Sequence, residues 1–163
     1  MVYKDYLNAA RKHKYTCEVI FEKLNGINEQ TDKAKYRYLL LNLYYLSGYV
    51  IECTVKYGIY NLIGYEKEKD VKELNEKGLM YDLHIKHHKF ERYAEHLRRS
   101  ISRPIPLINT REKIDKYVVQ LYREWDADVR YSYDLKGKEN HHYTAFYKCA
   151  AEIFKIIIDN VRG

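Results

Sequence analysis

The chain has 163 residues, 46% of them hydrophobic and 32% charged, which suits one domain with enough apolar side chains for a core and argues against an unstructured polymer. Twenty-nine Lys and Arg against 23 Asp and Glu leave a net charge of +6, compatible with a nucleic-acid or acidic-protein partner but too modest to establish one. No apolar run approaches the roughly 20 residues that span a bilayer, and the first residues carry no apolar signal stretch, so no membrane anchorage and a cytoplasmic location are expected.

A first amphipathic helix is predicted from about Lys4 to Leu24, where Leu7, Ala10, Cys17, Ile20, Phe21 and Leu24 largely follow a 3.6-residue repeat, with Gly26 as its stop. Thr31 or Asp32 is placed to cap a second helix that continues to about Ile63, before Gly64. Within its apolar run, Tyr44 to Lys56, the charges Glu52 and Lys56 stand four residues apart. They share a helix face, acid before base, and can satisfy each other inside a buried seam. Ser47-Gly48 removes bulk and marks a close approach by another helix. Tyr65 to Gly78 is mostly charged and is expected to be a short exposed helix or a solvated connector.

A third helix is expected to start between His84 and His88 and to run to about Arg99, with Phe90, Tyr93, Ala94 and Leu97 inward. Arg103-Pro-Ile-Pro106 lacks two amide donors and is expected to cross the bundle in extended form. Asn109 or Thr110 is the expected cap of a fourth helix, with Glu112 completing a capping box and Ile114, Tyr117, Val118, Leu121, Tyr122 and Trp125 as the buried stripe. A polar loop, Tyr133 to Asn140, leads into a fifth helix from about His141 to Val161, whose apolar face is Phe146, Ala150, Ile153, Phe154, Ile157 and Val161. No segment alternates like a strand between hairpin turns. The expected fold is therefore all-α, a single domain over residues 1–163 forming a compact antiparallel up-and-down bundle of about five helices.

The 19 tyrosines are the compositional outlier. A phenol ring suits half-buried seams and stacks on bases, while codon bias in an AT-rich genome explains the same excess without a function. Cys17, Cys53 and Cys149 fall on three different predicted helices without CxxC spacing and read as small buried residues. His84 and His88 lie four apart, with His87 beside them, but no carboxylate or cysteine at ligand spacing accompanies them, so no metal is assigned. Lys86 to His88 reads instead as part of a basic surface with Arg98, Arg99, Arg103 and Lys136 to Lys138. P-loop, dinucleotide-binding and serine-hydrolase motifs are absent, and no cofactor is expected.

Tyr45-Leu-Ser-Gly-Tyr-Val-Ile-Glu52-Cys-Thr-Val-Lys56 resembles the second-helix signature of HEPN (higher eukaryotes and prokaryotes nucleotide-binding) domains: a Tyr/Leu-rich run, a small residue, then Glu-x-x-x-Lys. His88 to Leu97 is similar to the family's His-polar-Leu-x-x-Leu stretch, and Trp125-Asp-Ala-Asp-Val-Arg130-Tyr131 to its Trp-to-Arg-Tyr element. The resemblance implies a helical bundle directed at RNA or nucleotides in a prokaryotic defence or toxin-antitoxin-type system. It further implies a homodimer, a partner protein or antitoxin, and Glu52, Lys56, His88 and Tyr131 as binding residues.

Active members of that family place an Arg, four to six intervening residues and a His near the start of the final helix. The Arg stabilises transition-state charge and the His moves protons at the ribose 2'-hydroxyl or the leaving 5'-oxygen, without a metal. That spacing is absent: Arg92 to His96 leaves three intervening residues and Arg130 to His141 leaves ten. Arg130, His141 and His142 are nonetheless the candidate catalytic residues, provided the loop between them folds back. Arg130 has an alternative role as a partner for Glu52, and the two histidines as a polar helix start. Three readings stand: a metal-independent endoribonuclease, a catalytically silent nucleotide- or RNA-binding module, and a protein-interaction subunit.

Overall fold

A computed structural model describes residues 1–111 and 113–161. Among the described residues the α-helices are α1 (Lys4–Asn25), α2 (Lys33–Leu62), α3 (Glu91–Ser100), α4 (Lys116–Glu124) and α5 (Asn140–Val161), an all-α bundle with one small hairpin. The long helix α2 is its axis. From Leu40 to Tyr60 it is buried on nearly every side, because α1 and α5 pack along it and α3 and the 3-10 turn Ala127–Tyr131 also touch it. Such all-round burial requires small residues where neighbours come closest. At Gly48 the neighbour is the indole of Trp125, just beyond α4, and a Cβ there would fall 1.9 Å from that ring. Ser47 meets Cys17 of α1 at 3.7 Å. The close approach expected at Ser47-Gly48 is thus real, but at Gly48 it is filled by a side chain rather than by a helix backbone.

Many of the tyrosines act as bolts. A buried phenol brings apolar area and one donor that needs a partner, and here the partners are backbone carbonyls of α4 and of the connectors. Tyr44 donates to Leu121 (2.7 Å), Tyr60 to Val71 (2.7 Å), Tyr65 to Asp70 (2.8 Å) and Tyr143 to Leu135 (2.8 Å).

The connectors differ most from expectation. Residues 65–78 are not a solvated linker: Tyr65, Val71 and Leu74 are buried among the charges, and the first residue is tied in through its ammonium on Asp70 (2.7 Å). Two short strands, β1 (Asn75–Glu76) and β2 (Leu79–Met80), pair antiparallel around Lys77 (φ 51°) and Gly78 (φ 76°), the two positive-φ positions of a tight hairpin. Strands of two residues carry no readable alternation. Helix α3 starts at Glu91, after a five-residue π turn (Tyr81–Ile85). Its predicted first turn is claimed by tertiary contacts, since His88 reaches Glu52 and Phe90 stacks on Trp125 (4.8 Å) and Tyr122 (4.9 Å).

The segment after Arg103 is a tight loop rather than an extended crossing. Asn109 Oδ1 accepts from the Ile105 amide (2.5 Å) and its Nδ2 donates to the Arg103 carbonyl (3.1 Å), while Ile105, Leu107 and Ile108 are buried. The cap of α4 is accordingly Asp115, which accepts from the Tyr117 amide (2.7 Å), and not Asn109 or Thr110; Glu112 lies outside the described residues. Tyr117, predicted in the buried stripe, is exposed. Before α2, Asp32 makes no side-chain cap, and Asn28 instead accepts from the amides of Gln30 and Thr31.

Candidate functional site around Tyr49

Glu52 and Lys56 are the charged pair at the centre of the molecule, at 4% and 3% exposure. Lys56 Nζ donates to Glu52 Oε1 at 2.7 Å and lies 5.1 Å from the Tyr93 ring centre and 5.8 Å from that of Tyr6, so the ammonium faces an anion and two π surfaces instead of water. Glu52 has a second partner. His88 Nδ1 sits 3.1 Å from both carboxylate oxygens, reaching in from the loop before α3, and its side chain is 48% exposed. An ionised carboxylate only accepts, so Nδ1 carries the proton. Among the described residues Nε2 of His88 has no hydrogen-bond partner. A buried acid thus fixes the tautomer and orientation of a half-exposed imidazole.

Tyr49, one turn before Glu52, gathers the surrounding groups. Its ring centre lies 5.4 Å from that of His13 on α1, 5.1 Å from Tyr45, 5.1 Å from Trp125 and 6.3 Å from His88. Burial, a hydrogen bond with Tyr45 and the charge of Glu52 raise the Tyr49 hydroxyl well above the usual phenol range, and Arg130 opposes them. Arg130 therefore stands on the Tyr45 and Tyr49 side of the molecule.

Burial, and secondarily the charge of Lys12, push His13 below the ordinary imidazole value, with Glu52 acting the other way. The unfolded chain then takes up this proton first on acidification, so the stabilising contribution is present above the ordinary histidine range and is lost as pH falls through it. The melting temperature is expected to decline between about pH 7.5 and 5.5, and His13→Gln should flatten that slope in a thermal melt series.

Arg130 is exposed on the Ala127–Tyr131 turn, with its guanidinium 4.7 Å from the Tyr131 ring centre. It does not pair with Glu52, whose partners are Lys56 and His88. Together with Tyr38, Leu41, Asn42, Tyr45, Val129 and Ser132 it lines a shallow depression of about 130 Å³. Tyr131 and Tyr133 are 70% and 75% exposed nearby in sequence, and Arg37 stacks over Tyr38 at 5.4 Å.

The two histidines of α5 go elsewhere. His142 is buried, its Nδ1 accepting the Glu139 amide (3.0 Å), and so serves the helix start. His141 is exposed beside Glu139 (3.3 Å) and lines a separate depression with Glu29, Tyr36 and Lys148. Within one copy of the chain, Arg130 and His141 do not share a pocket.

Much of the expected basic surface is neutralised locally. Arg98 and Arg99 both reach Glu95 (3.3 and 3.4 Å), Lys86 reaches Asp82 (3.3 Å), and Lys138 is buried against Glu124 (2.9 Å). His84 accepts from the Met80 amide and packs on His96 (5.1 Å) while His88 turns to Glu52, so the pair read as formal metal ligands does not converge. Among the described residues no group of three or more His, Cys, Asp or Glu is arranged to hold a metal ion, and no helix is long and apolar enough to cross a membrane. Burial pushes the thiols of Cys17 and Cys149 up to about 11 and that of Cys53 up to about 12, which makes them unreactive near neutrality.

Of the residues singled out from sequence, Glu52, Lys56 and His88 come together and Arg130 and Tyr131 stack on each other. His13, Tyr38, Tyr45 and Tyr49 were not singled out; the spacing of Tyr45 and Tyr49 on one helix face was the available signal, and His13 carried none. Comparison with known proteins finds no matching family model, no matching curated protein and no matching solved structure.

Proposed function

We propose that this is a HEPN-like, RNA-directed protein of a prokaryotic defence or toxin-antitoxin-type system, engaging unpaired RNA through the Arg130 surface. The observation that carries the reading is the juxtaposition of the Arg130 guanidinium with the phenols of Tyr38 and Tyr45 in the lining of that depression, each end of which continues in sequence into a cation and ring pair, Arg130 over Tyr131 and Arg37 over Tyr38. Aromatic faces stack on any base and guanidinium groups meet phosphates, so the combination suits single strands with little sequence preference. The resemblance of the α2, His88-to-Leu97 and Trp125-to-Tyr131 segments supports the defence context and the choice of RNA over an acidic protein.

Fluorescence anisotropy with a labelled single-stranded RNA in EDTA tests it. Tyr38→Ala and Tyr131→Ala should each weaken binding about tenfold, the scale of one lost base stack, and Arg130→Ala should weaken binding and reduce its salt dependence. Equal affinity in parent and variants would show that RNA does not bind at this surface. The reading also includes a homodimer, which would bring Arg130 of one copy toward the final helix of another. Light scattering at tens of micromolar, where weak dimers assemble, should give twice the 19.7 kDa chain mass, and the monomer mass would count against it.

A further inference from the structure

We infer that the depression beside Arg130 takes one unpaired nucleobase and reads it through Asn42, favouring a base with an exocyclic amino group, such as cytosine, over uracil. The inference rests on the RNA-binding reading and adds a base preference that stacking and phosphate contacts do not supply. Tyr38, Leu41, Asn42 and Tyr45 stand at positions i, i+3, i+4 and i+7 of α2, so one helix face presents two phenols, an apolar side chain and an amide to the same hollow. Val129, Arg130 and Ser132 line it from the Ala127–Tyr131 turn and its cap. Its volume of about 130 Å³ is roughly four times the share of one water molecule in the liquid. That is room for a base, and not for a base together with its sugar and phosphate.

The orientation of the Asn42 amide is fixed by its own helix. The side chain approaches the Tyr38 carbonyl oxygen to 2.9 Å, and because a carbonyl only accepts, the atom turned toward it is Nδ2. Oδ1 is left as the amide's free acceptor, on an exposed residue that lines the hollow, and among the described residues it has no hydrogen-bond partner. Turning the amide over would set Oδ1 against the Tyr38 carbonyl, acceptor against acceptor. The hydroxyl of Ser132 rotates to donate or accept and so discriminates nothing. A fixed acceptor asks for a donor. Cytosine offers its 4-amino group at the outer edge of the ring, whereas uracil carries a carbonyl oxygen at that position, which would meet Oδ1 with both oxygens stripped of water. Adenine and guanine also carry amino groups, but stacking strength differs between large and small rings, so the two pyrimidines isolate the contribution of Asn42.

The test uses the full chain in EDTA at neutral pH and fluorescence anisotropy with two short labelled probes of equal length, oligocytidylate and oligouridylate. The parent should bind oligocytidylate about fivefold more tightly, the scale of one net hydrogen bond. Asn42→Ala should bring the two probes to equal affinity while the thermal melt stays at the parent's, because Asn42 is exposed and its hydrogen bond runs to its own helix. Arg130→Ala should weaken both probes by the same factor, since a phosphate contact carries no base information. Equal affinity of the parent for the two probes, or a preference for oligouridylate, overturns the base preference and leaves the RNA-binding reading standing. A cytidine preference that survives in Asn42→Ala overturns the role of Asn42. A parent that binds neither probe overturns both the preference and the RNA-binding reading.

Discussion

Glu52→Ala should destabilise the fold by on the order of 3 kcal/mol or more, because it leaves the Lys56 ammonium buried with no anion. The rings of Tyr93 and Tyr6 attract that cation but do not replace a carboxylate at hydrogen-bond distance. For a domain of this size the loss corresponds to a drop in melting temperature of roughly 6 to 12 °C. Replacing both partners by apolar residues of similar volume, Glu52→Leu with Lys56→Met, should recover most of the loss, since the cost of an ion pair in the interior lies in desolvation. A thermal midpoint unchanged in Glu52→Ala would show that water reaches the pair.

Gly48→Ala should be comparably damaging for a different reason. The added methyl would lie 1.9 Å from the Trp125 ring, and that ring has little freedom to leave. Its other neighbours are Phe90, stacked at 4.8 Å, and Tyr49, edge-on at 5.1 Å, while its Nε1 donates to the Tyr45 carbonyl at 3.2 Å. Overpacking of this kind costs about 1 to 3 kcal/mol and sometimes more, against a gain of about 1 kcal/mol from better helix propensity. Gly58→Ala is the milder comparison, because its nearest contacts are single methyls, the β-branch Cγ2 of Ile157 (2.9 Å) and the terminal Cδ1 of Leu97 (3.0 Å), both further off than the indole at Gly48. The chain has one tryptophan, so a red-shifted emission in Gly48→Ala would report the displaced indole directly. Equal midpoints for Gly48→Ala and the parent would contradict the packing.

The long helices were legible because their signals are local. α1, α2 and α5 sustain their apolar pattern over many turns, and their observed ends fall within a residue or two of expectation. α3 and α4 are short, and their starts are decided by distant partners: the imidazole of His88 is drawn to Glu52, and Asn109 closes its own loop instead of capping a helix. The hairpin at residues 75–80 is too brief to show a period at all. At the site, the Glu52 and Lys56 pair followed from spacing on one helix. The third member, His88, is 36 residues away from Glu52 along the chain, and its role depends on the path of the loop before α3. His13 and Tyr49 meet only because α1 packs on α2, which no local pattern records. Arg130 stands out in the sequence as the arginine before the last helix, but its position beside Tyr45 depends on how the Ala127–Tyr131 turn sits on α2.

Ultraviolet cross-linking of a single-stranded RNA to the intact protein, followed by mass spectrometric mapping of the modified residues, shows which surface meets RNA. Cross-links are expected at Tyr38, Tyr45 and Tyr131, and they should be lost when Arg130 is replaced by Ala. Cross-links confined to the groove between α1 and α5, lined by Arg11, Lys14, Phe154 and Lys155, or no cross-link at any concentration that saturates a control RNA-binding protein, would contradict RNA binding at the Arg130 surface.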